Sequence, residues 1–265
     1  MRFNVVGLVF FCLMLSCATS TEIRHVVSIE QDLDSRPNIF LKQSFVEIEK
    51  KVVIKKPSTC SEEQCDPEIK MATASGVIIH KVEAGSYILS AEHVCNGKSS
   101  EELVDAKTFI KVLAPSGKGY PGRVLWSDFF NDTCVIWVPK MDDGVEAKVS
   151  QRKPVYGDRV INLASPLGIA QLPHTLPLLE GHYCGSANGF DMYSIPATGG
   201  SSGGPIFDFK GYLIGMVQAS LIKFPIICLS ARYNQITRVI KMVKNDNLRV
   251  GVSDDKNWRQ SLSDL

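Results

Sequence analysis

Short runs of alternating apolar and polar residues, broken by turn residues at close intervals, fill most of this chain, and only one stretch has helical periodicity. Alternation puts successive side chains on opposite faces of a strand, so each run can bury one face. Such runs lie near 44–55, 73–81, 85–94, 107–113, 119–127 and 133–139, and again near 155–163, 176–184, 190–195, 204–208, 212–220 and 225–231. Turn signals such as Pro115-Ser116-Gly117 and Pro166-Leu167-Gly168 punctuate them. Strands this short and regular bury their inner faces by closing on themselves. The expected fold is all-β: two six-stranded antiparallel barrels over 44–145 and 146–243, with Met141 to Lys153 as a polar connector. One helix ends the second unit, with Ile236, Val239, Ile240 and Val243 on one face and Asn234 as its expected cap. The polar tail runs over 244–265, and no internal repeat is visible.

The first twenty residues differ from the rest. Arg2 precedes the apolar run VVGLVFFCLMLSC, and Ala18-Thr19-Ser20 follows it. This pattern predicts a signal peptide over 1–20 with cleavage after Ser20, and hence an exported protein, periplasmic or secreted. The alternative is a lipid-anchored envelope protein with Cys17 as the lipidated residue, the only route by which a membrane partner is expected. Residues 21–43 form an N-terminal extension, either a self-association arm of a homo-oligomer or a simple lead-in. A formal net charge of +1 supplies no basic field for nucleic acid. Export gives meaning to the six cysteines beyond the leader: Cys60 and Cys65 can pair locally, and Cys95, Cys134, Cys184 and Cys228 allow three pairings.

Residues Thr198 to Asp208 read TGGSSGGPIFD. A flexible linker is a poor reading, because the apolar hairpin PIFDFKGYLIGM follows at once. A reactive loop is a better one. An acyl-transfer nucleophile needs an exposed hydroxyl and backbone N–H groups aimed at the developing oxyanion, and flanking glycines allow the tight backbone. Ser202 is the central serine, with the N–H groups of Gly200 and Ser202 as the expected oxyanion hole. Gly-x-Ser-x-Gly also marks α/β-hydrolases, where the histidine follows the serine. Here all five histidines precede Ser202, which excludes that reading. His93 ends the stretch Tyr87 to Glu92 and has the frame of a strand-held base; Asp132 opens the apolar run TCVIWV and suits a carboxylate that orients the imidazole.

Four segments carry a family resemblance: ASGVIIHKVEAGSYILSAEHV, NDTCVIWV, GDRVINLASPLG and ATGGSSGGPIFDFKGYLIGM. In this order they resemble the chymotrypsin-fold, trypsin-like serine peptidases, most of all the protease domain of the high-temperature-requirement branch, without its PDZ domain. The resemblance implies a serine endopeptidase acting on peptides or proteins, with His93 as general base, Asp132 as its orienter and Ser202 as nucleophile, and no metal or other cofactor. By family pattern the substrate pocket takes Pro196 as its base and Val217, Gln218, Ala219 and Ser220 as its wall, which suits a small or aliphatic side chain. Two departures stand out. Glu92 occupies a position usually held by a small residue, and Ser201 replaces the aspartate that pairs with a freed N-terminus in zymogen-activated relatives. Two other readings are open: a catalytically inactive binding protein on the same fold, and a metal site built from Cys60, Cys65, His93 and Cys95.

Overall fold

The structure, a computed structural model, describes residues 38–54, 67–96 and 106–245. The chain divides into residues 1–39 and 40–265, and of the first unit only Asn38 and Ile39 are described. A short helix, α1 (Asn38–Lys42), leads into the strands. The first six are β1 (Phe45–Ile54), β2 (Glu68–Val82), β3 (Gly85–Ser90), β4 (Ala106–Leu113), β5 (Gly119–Asp128) and β6 (Thr133–Pro139). They close into an antiparallel barrel in the order β1-β2-β3-β6-β5-β4. The second barrel uses β7 (Arg159–Leu163), β8 (Leu178–Ala187), β9 (Phe190–Tyr193), β10 (Pro205–Asp208), β11 (Leu213–Leu221) and β12 (Phe224–Ser230), ordered β10-β11-β12-β9-β8-β7. Closure removes the open edges that a small antiparallel sheet would expose.

Phe45, Ile48, Ile78, Ile88, Leu89 and Ile136 fill the first barrel, and Tyr193, Ile206, Ile214, Val217 and Cys228 the second. Helix α3 (Tyr233–Lys244) buries Ile236, Val239, Ile240 and Val243, the stripe expected from the sequence. That stripe joins the first barrel's core cluster and packs on β2 and β11, so one helix contacts both barrels. Each such side chain contributes on the order of 2 kcal/mol when fully buried.

Two expectations are corrected. The run expected to continue as strand to Val94 stops at Ser90, and Glu92–Cys95 forms a single helical turn, α2. Asn234 does not cap the last helix but lies inside it. The first helical N–H, that of Tyr233, donates instead to the fully buried carboxylate of Asp191 at 2.9 Å, which also accepts from Tyr183 and Ser186 hydroxyls. A cap from another strand satisfies the same orphan donor as a local one, and a negative charge there suits the helix dipole. Of the four cysteines with three open pairings, Cys95 and Cys134 are joined by a disulfide, and Cys184 and Cys228 are free. Residues 1–20, the tail beyond 245 and the Cys60–Cys65 pairing lie outside the described residues. Among the described residues no helix is long and apolar enough to cross a membrane.

The connector is anchored by Glu146. Its carboxylate accepts from Lys244 at the end of α3, meets His80 Nδ1 at 3.1 Å and accepts the Lys81 N–H at 3.3 Å. Burial alone would raise its carboxyl, but the hydrogen bonds from Lys244 and His80 outweigh this and hold it below the usual carboxylate range. A depressed carboxyl contributes stability above its unfolded value and loses it as pH falls through the folded value. Thermal melts of wild type and Glu146→Gln should therefore differ most above about pH 4.5 and converge below it. A constant gap from pH 7 to pH 2.5 would contradict this.

Candidate active site

His93 is fixed by α2, the turn between β3 and the disulfide. Its Nδ1 lies 3.0 and 2.9 Å from the two carboxylate oxygens of Asp132, and its backbone N–H donates to Asp132 Oδ1 at 3.0 Å. Asp132 immediately precedes β6 in a left-handed conformation (φ 43). The disulfide ties Cys95 to Cys134, each two residues beyond one member of this pair. With the ring proton on Nδ1, the carboxylate accepts its hydrogen bond, and Nε2 of the imidazole is left as the free acceptor. Glu92 does not compete for the ring: its carboxylate accepts from Asn96 Nδ2 at 3.1 Å. It also faces Lys50, whose buried amine is pushed below its usual range by desolvation and pulled back by Glu92.

The loop carrying Ser202 docks on the first barrel through Ser75 of β2. Ser75 is fully buried; its N–H donates to the Ser202 carbonyl (2.8 Å), its hydroxyl donates to the Gly200 carbonyl (2.8 Å) and accepts the Ser165 N–H (2.9 Å). Its own carbonyl accepts from Ser90 Oγ at 2.9 Å, three residues before His93. The segments bearing His93, Asp132 and Ser202 therefore meet at one place. Among the described residues the Ser202 hydroxyl has no hydrogen-bond partner, and neither do the N–H groups of Gly200 and Ser202, whereas the neighbouring Ser201 N–H is bound to Thr198. The Gly199 carbonyl is turned to the Leu167 N–H (2.6 Å), which leaves the Gly200 amide free to face outward. Gly200 adopts φ 90, and a Cβ there would stand 2.2 Å from the Ser165 carbonyl oxygen. Only glycine permits this approach.

The residues expected at the pocket are spread unevenly. Pro196 is exposed, and its neighbour Ala197 donates its N–H to the Pro225 carbonyl at 2.9 Å. Ala219 is exposed and Ser220 partly so. Val217 is buried and pairs with the serine loop, its carbonyl accepting from Gly203 and its N–H donating to Gly204. Gln218 is 4% exposed, and its amide points into the turn before β6. Sequence reasoning missed Ser75 and the contacts of Gln218. Polar residues within otherwise apolar strands were the available signal.

Among the described residues no group of three or more His, Cys, Asp or Glu side chains is placed to hold a metal. Cys95 is held in the disulfide and so is not a thiolate ligand, and Cys60 and Cys65 lie outside the described residues.

Comparison with known proteins bears on this geometry. No curated protein matches the chain. Among solved structures, a serine endoprotease from Yersinia pestis is similar, with a TM-score of 0.55 at 20% identity, over 78% of this chain and 64% of that one. At that identity the likeness shows the fold. The chain spans less than two thirds of that structure's length. The family model of the trypsin-like peptidase domain matches residues 74–216, more than half of the chain and the span holding His93, Asp132 and Ser202. With two closed six-stranded barrels and that match, the chain belongs to the trypsin-like peptidase family.

Proposed function

We propose that the protein is a serine endopeptidase that cleaves peptide bonds through an acyl-enzyme, with His93, Asp132 and Ser202 as its triad. The observation that carries this is the hydrogen-bonded His93–Asp132 pair together with a serine loop, docked on Ser75, in which the Ser202 hydroxyl and the N–H groups of Gly200 and Ser202 are unpaired among the described residues. His93 Nε2 accepts the Ser202 proton as the hydroxyl oxygen attacks the substrate carbonyl. Asp132 stabilises the imidazolium that results. The N–H groups of Gly200 and Ser202 hold the tetrahedral oxyanion, each such donor lowering the barrier by about 3 kcal/mol. His93 then protonates the leaving amine, and water repeats the cycle on the ester. Apo serine–histidine contacts are often loose and tighten with substrate, so an unpaired hydroxyl is compatible with this role.

Pro196 and the Val217–Ser220 strand supply the pocket for the residue before the cleaved bond, through backbone and small side chains. No acidic side chain occupies these positions, which favours small or aliphatic substrates over Lys or Arg. The Cys95–Cys134 disulfide supports work in an oxidising compartment, in keeping with the apolar leader as an export signal.

The test is labelling by a fluorophosphonate probe, wild type beside Ser202→Ala. Labelling is expected in wild type and absent from the variant. A folded wild type that takes no label, or a variant that still does, would refute the assignment.

A further inference from the structure

A buried glutamine outside the three reactive residues reaches the turn that presents Asp132. Gln218 Nε2 donates to the carbonyl of Asn131 at 2.5 Å and to that of Asp132 at 2.9 Å, which uses both hydrogens of the amide nitrogen. A nearly buried amide that lost these partners would carry a desolvation penalty, so the contact is one the fold holds firmly. The turn needs holding. Asp132 sits at φ 43, a conformation that non-glycine residues adopt at a cost.

Other groups grip the same turn. The Asp128 carboxylate accepts the N–H groups of Phe130 (3.0 Å) and Asn131 (3.1 Å) and the Asn131 side-chain amide (2.5 Å). Asn131 Oδ1 accepts from Gln235 Nε2 in the first turn of α3, and Gln235 Oε1 accepts the Arg232 N–H at 2.9 Å. Gln218 and Gln235 both belong to the second-barrel half, whereas Asp132 belongs to the first. Val217, one residue before Gln218, fixes the backbone of Gly203 and Gly204 next to Ser202. Two consecutive residues of β11 thus set two different things: Val217, through its backbone, the nucleophile loop, and Gln218, through its side chain, the acid turn.

We infer that Gln218 is a positioning residue, with Gln235 as its support: it holds the strained Asn131–Asp132 turn in register with the Ser202 loop, so that the His93–Asp132 pair is aligned across the two barrels. This assigns Gln218 to the support of the acid. It rests on the triad reading above for its effect on rate, but not for its effect on the His93–Asp132 hydrogen bond. Supporting groups of this kind keep reacting atoms within a fraction of an ångström of productive geometry, and misplacement by about 1 Å can cost 100-fold.

The experiment uses the full chain with Gln218→Met, which keeps the volume and removes the donors. Two readouts separate the two claims. The low-field proton NMR signal of His93 Nδ1–H reports the pair whether or not the protein turns over substrate. It is expected to move upfield and broaden in the variant. If the triad reading holds, kcat should fall about 10- to 100-fold with KM changed much less. Gln235→Met should shift the same signal in the same direction by less, and it stands in if Gln218→Met does not fold. An unchanged signal in a folded variant would overturn the proposal. So would a change confined to KM, which is what a pocket-wall residue would give. Failure of wild type to take the fluorophosphonate, with the signal still displaced in the variant, would sink the triad reading alone.

Discussion

Replacing Asp132 by asparagine is expected to reduce kcat roughly 10⁴-fold with little change in fold. The reason lies in how the carboxylate is used. One oxygen, Oδ1, accepts the backbone N–H of His93 at 3.0 Å, and both oxygens face His93 Nδ1. An amide keeps one acceptor. The backbone N–H claims that oxygen, which turns the amide –NH2 toward Nδ1. Nδ1 must then accept, so the ring proton moves to Nε2, the nitrogen that serves as base in the proposed mechanism. The variant would hold the right atoms in place with the proton on the wrong nitrogen. Steady-state kinetics on an ester substrate measure the loss, and nitrogen chemical shifts of the imidazole report the tautomer. A loss of less than tenfold would count against Asp132 as the orienter of the base.

The largest effect on stability is expected from Gly203→Ala. Gly203 has φ 84, and a Cβ there would lie 2.0 Å from the Ser75 carbonyl oxygen and 2.3 Å from Ser90 Oγ. The left-handed backbone costs a non-glycine residue about 1–2 kcal/mol. The overlap is a further cost, because the obstructing oxygen is main chain in the middle of β2 and can retreat only by moving the strand. Together these should exceed about 4 kcal/mol and lower the melting temperature on the order of 10 °C. Gly189→Ala is the matched control. It has φ 91 with nothing within 4 Å, so it carries backbone strain without overlap. Equal melting shifts for the two variants would show that the contact between the serine loop and Ser75 does not matter.

The strands were readable because alternation is a local signal that tertiary packing reinforces. The run expected at Thr133–Pro139 is β6 to the residue, and the apolar stripe of the last helix is the one that packs. What was not readable depends on partners distant in the chain. The N-cap of α3 is Arg232, not a residue type that marks a helix start, and the first helical N–H goes to Asp191, 42 residues away, whereas Asn234 is a usual cap type but lies inside the helix. The turn α2 is only 4 residues long, too short for helical periodicity to show. The segments of His93, Asp132 and Ser202 stood out because their residue types were distinctive. Ser75 did not, and Gln218 was expected only at the pocket wall, since the partner of a serine or glutamine in a strand cannot be read from its neighbours in sequence. Their burial exists only in the folded chain, and so do their partners, which apart from Ser90 (15 residues from Ser75) lie between 86 and 127 residues away.

The Cys95–Cys134 bridge also acts where there is no fold. It spans 39 residues, and each cysteine sits two positions beyond His93 or Asp132. In an oxidised but unfolded chain, these two side chains stay tethered within a few residues of one another. Their encounter then resembles closure of a very short loop rather than a search across the whole intervening segment, whose entropic cost grows with loop length. Loss of tertiary structure therefore need not scatter the pair: the oxidised chain carries a covalent record of which histidine belongs with which aspartate, and refolding starts from that record.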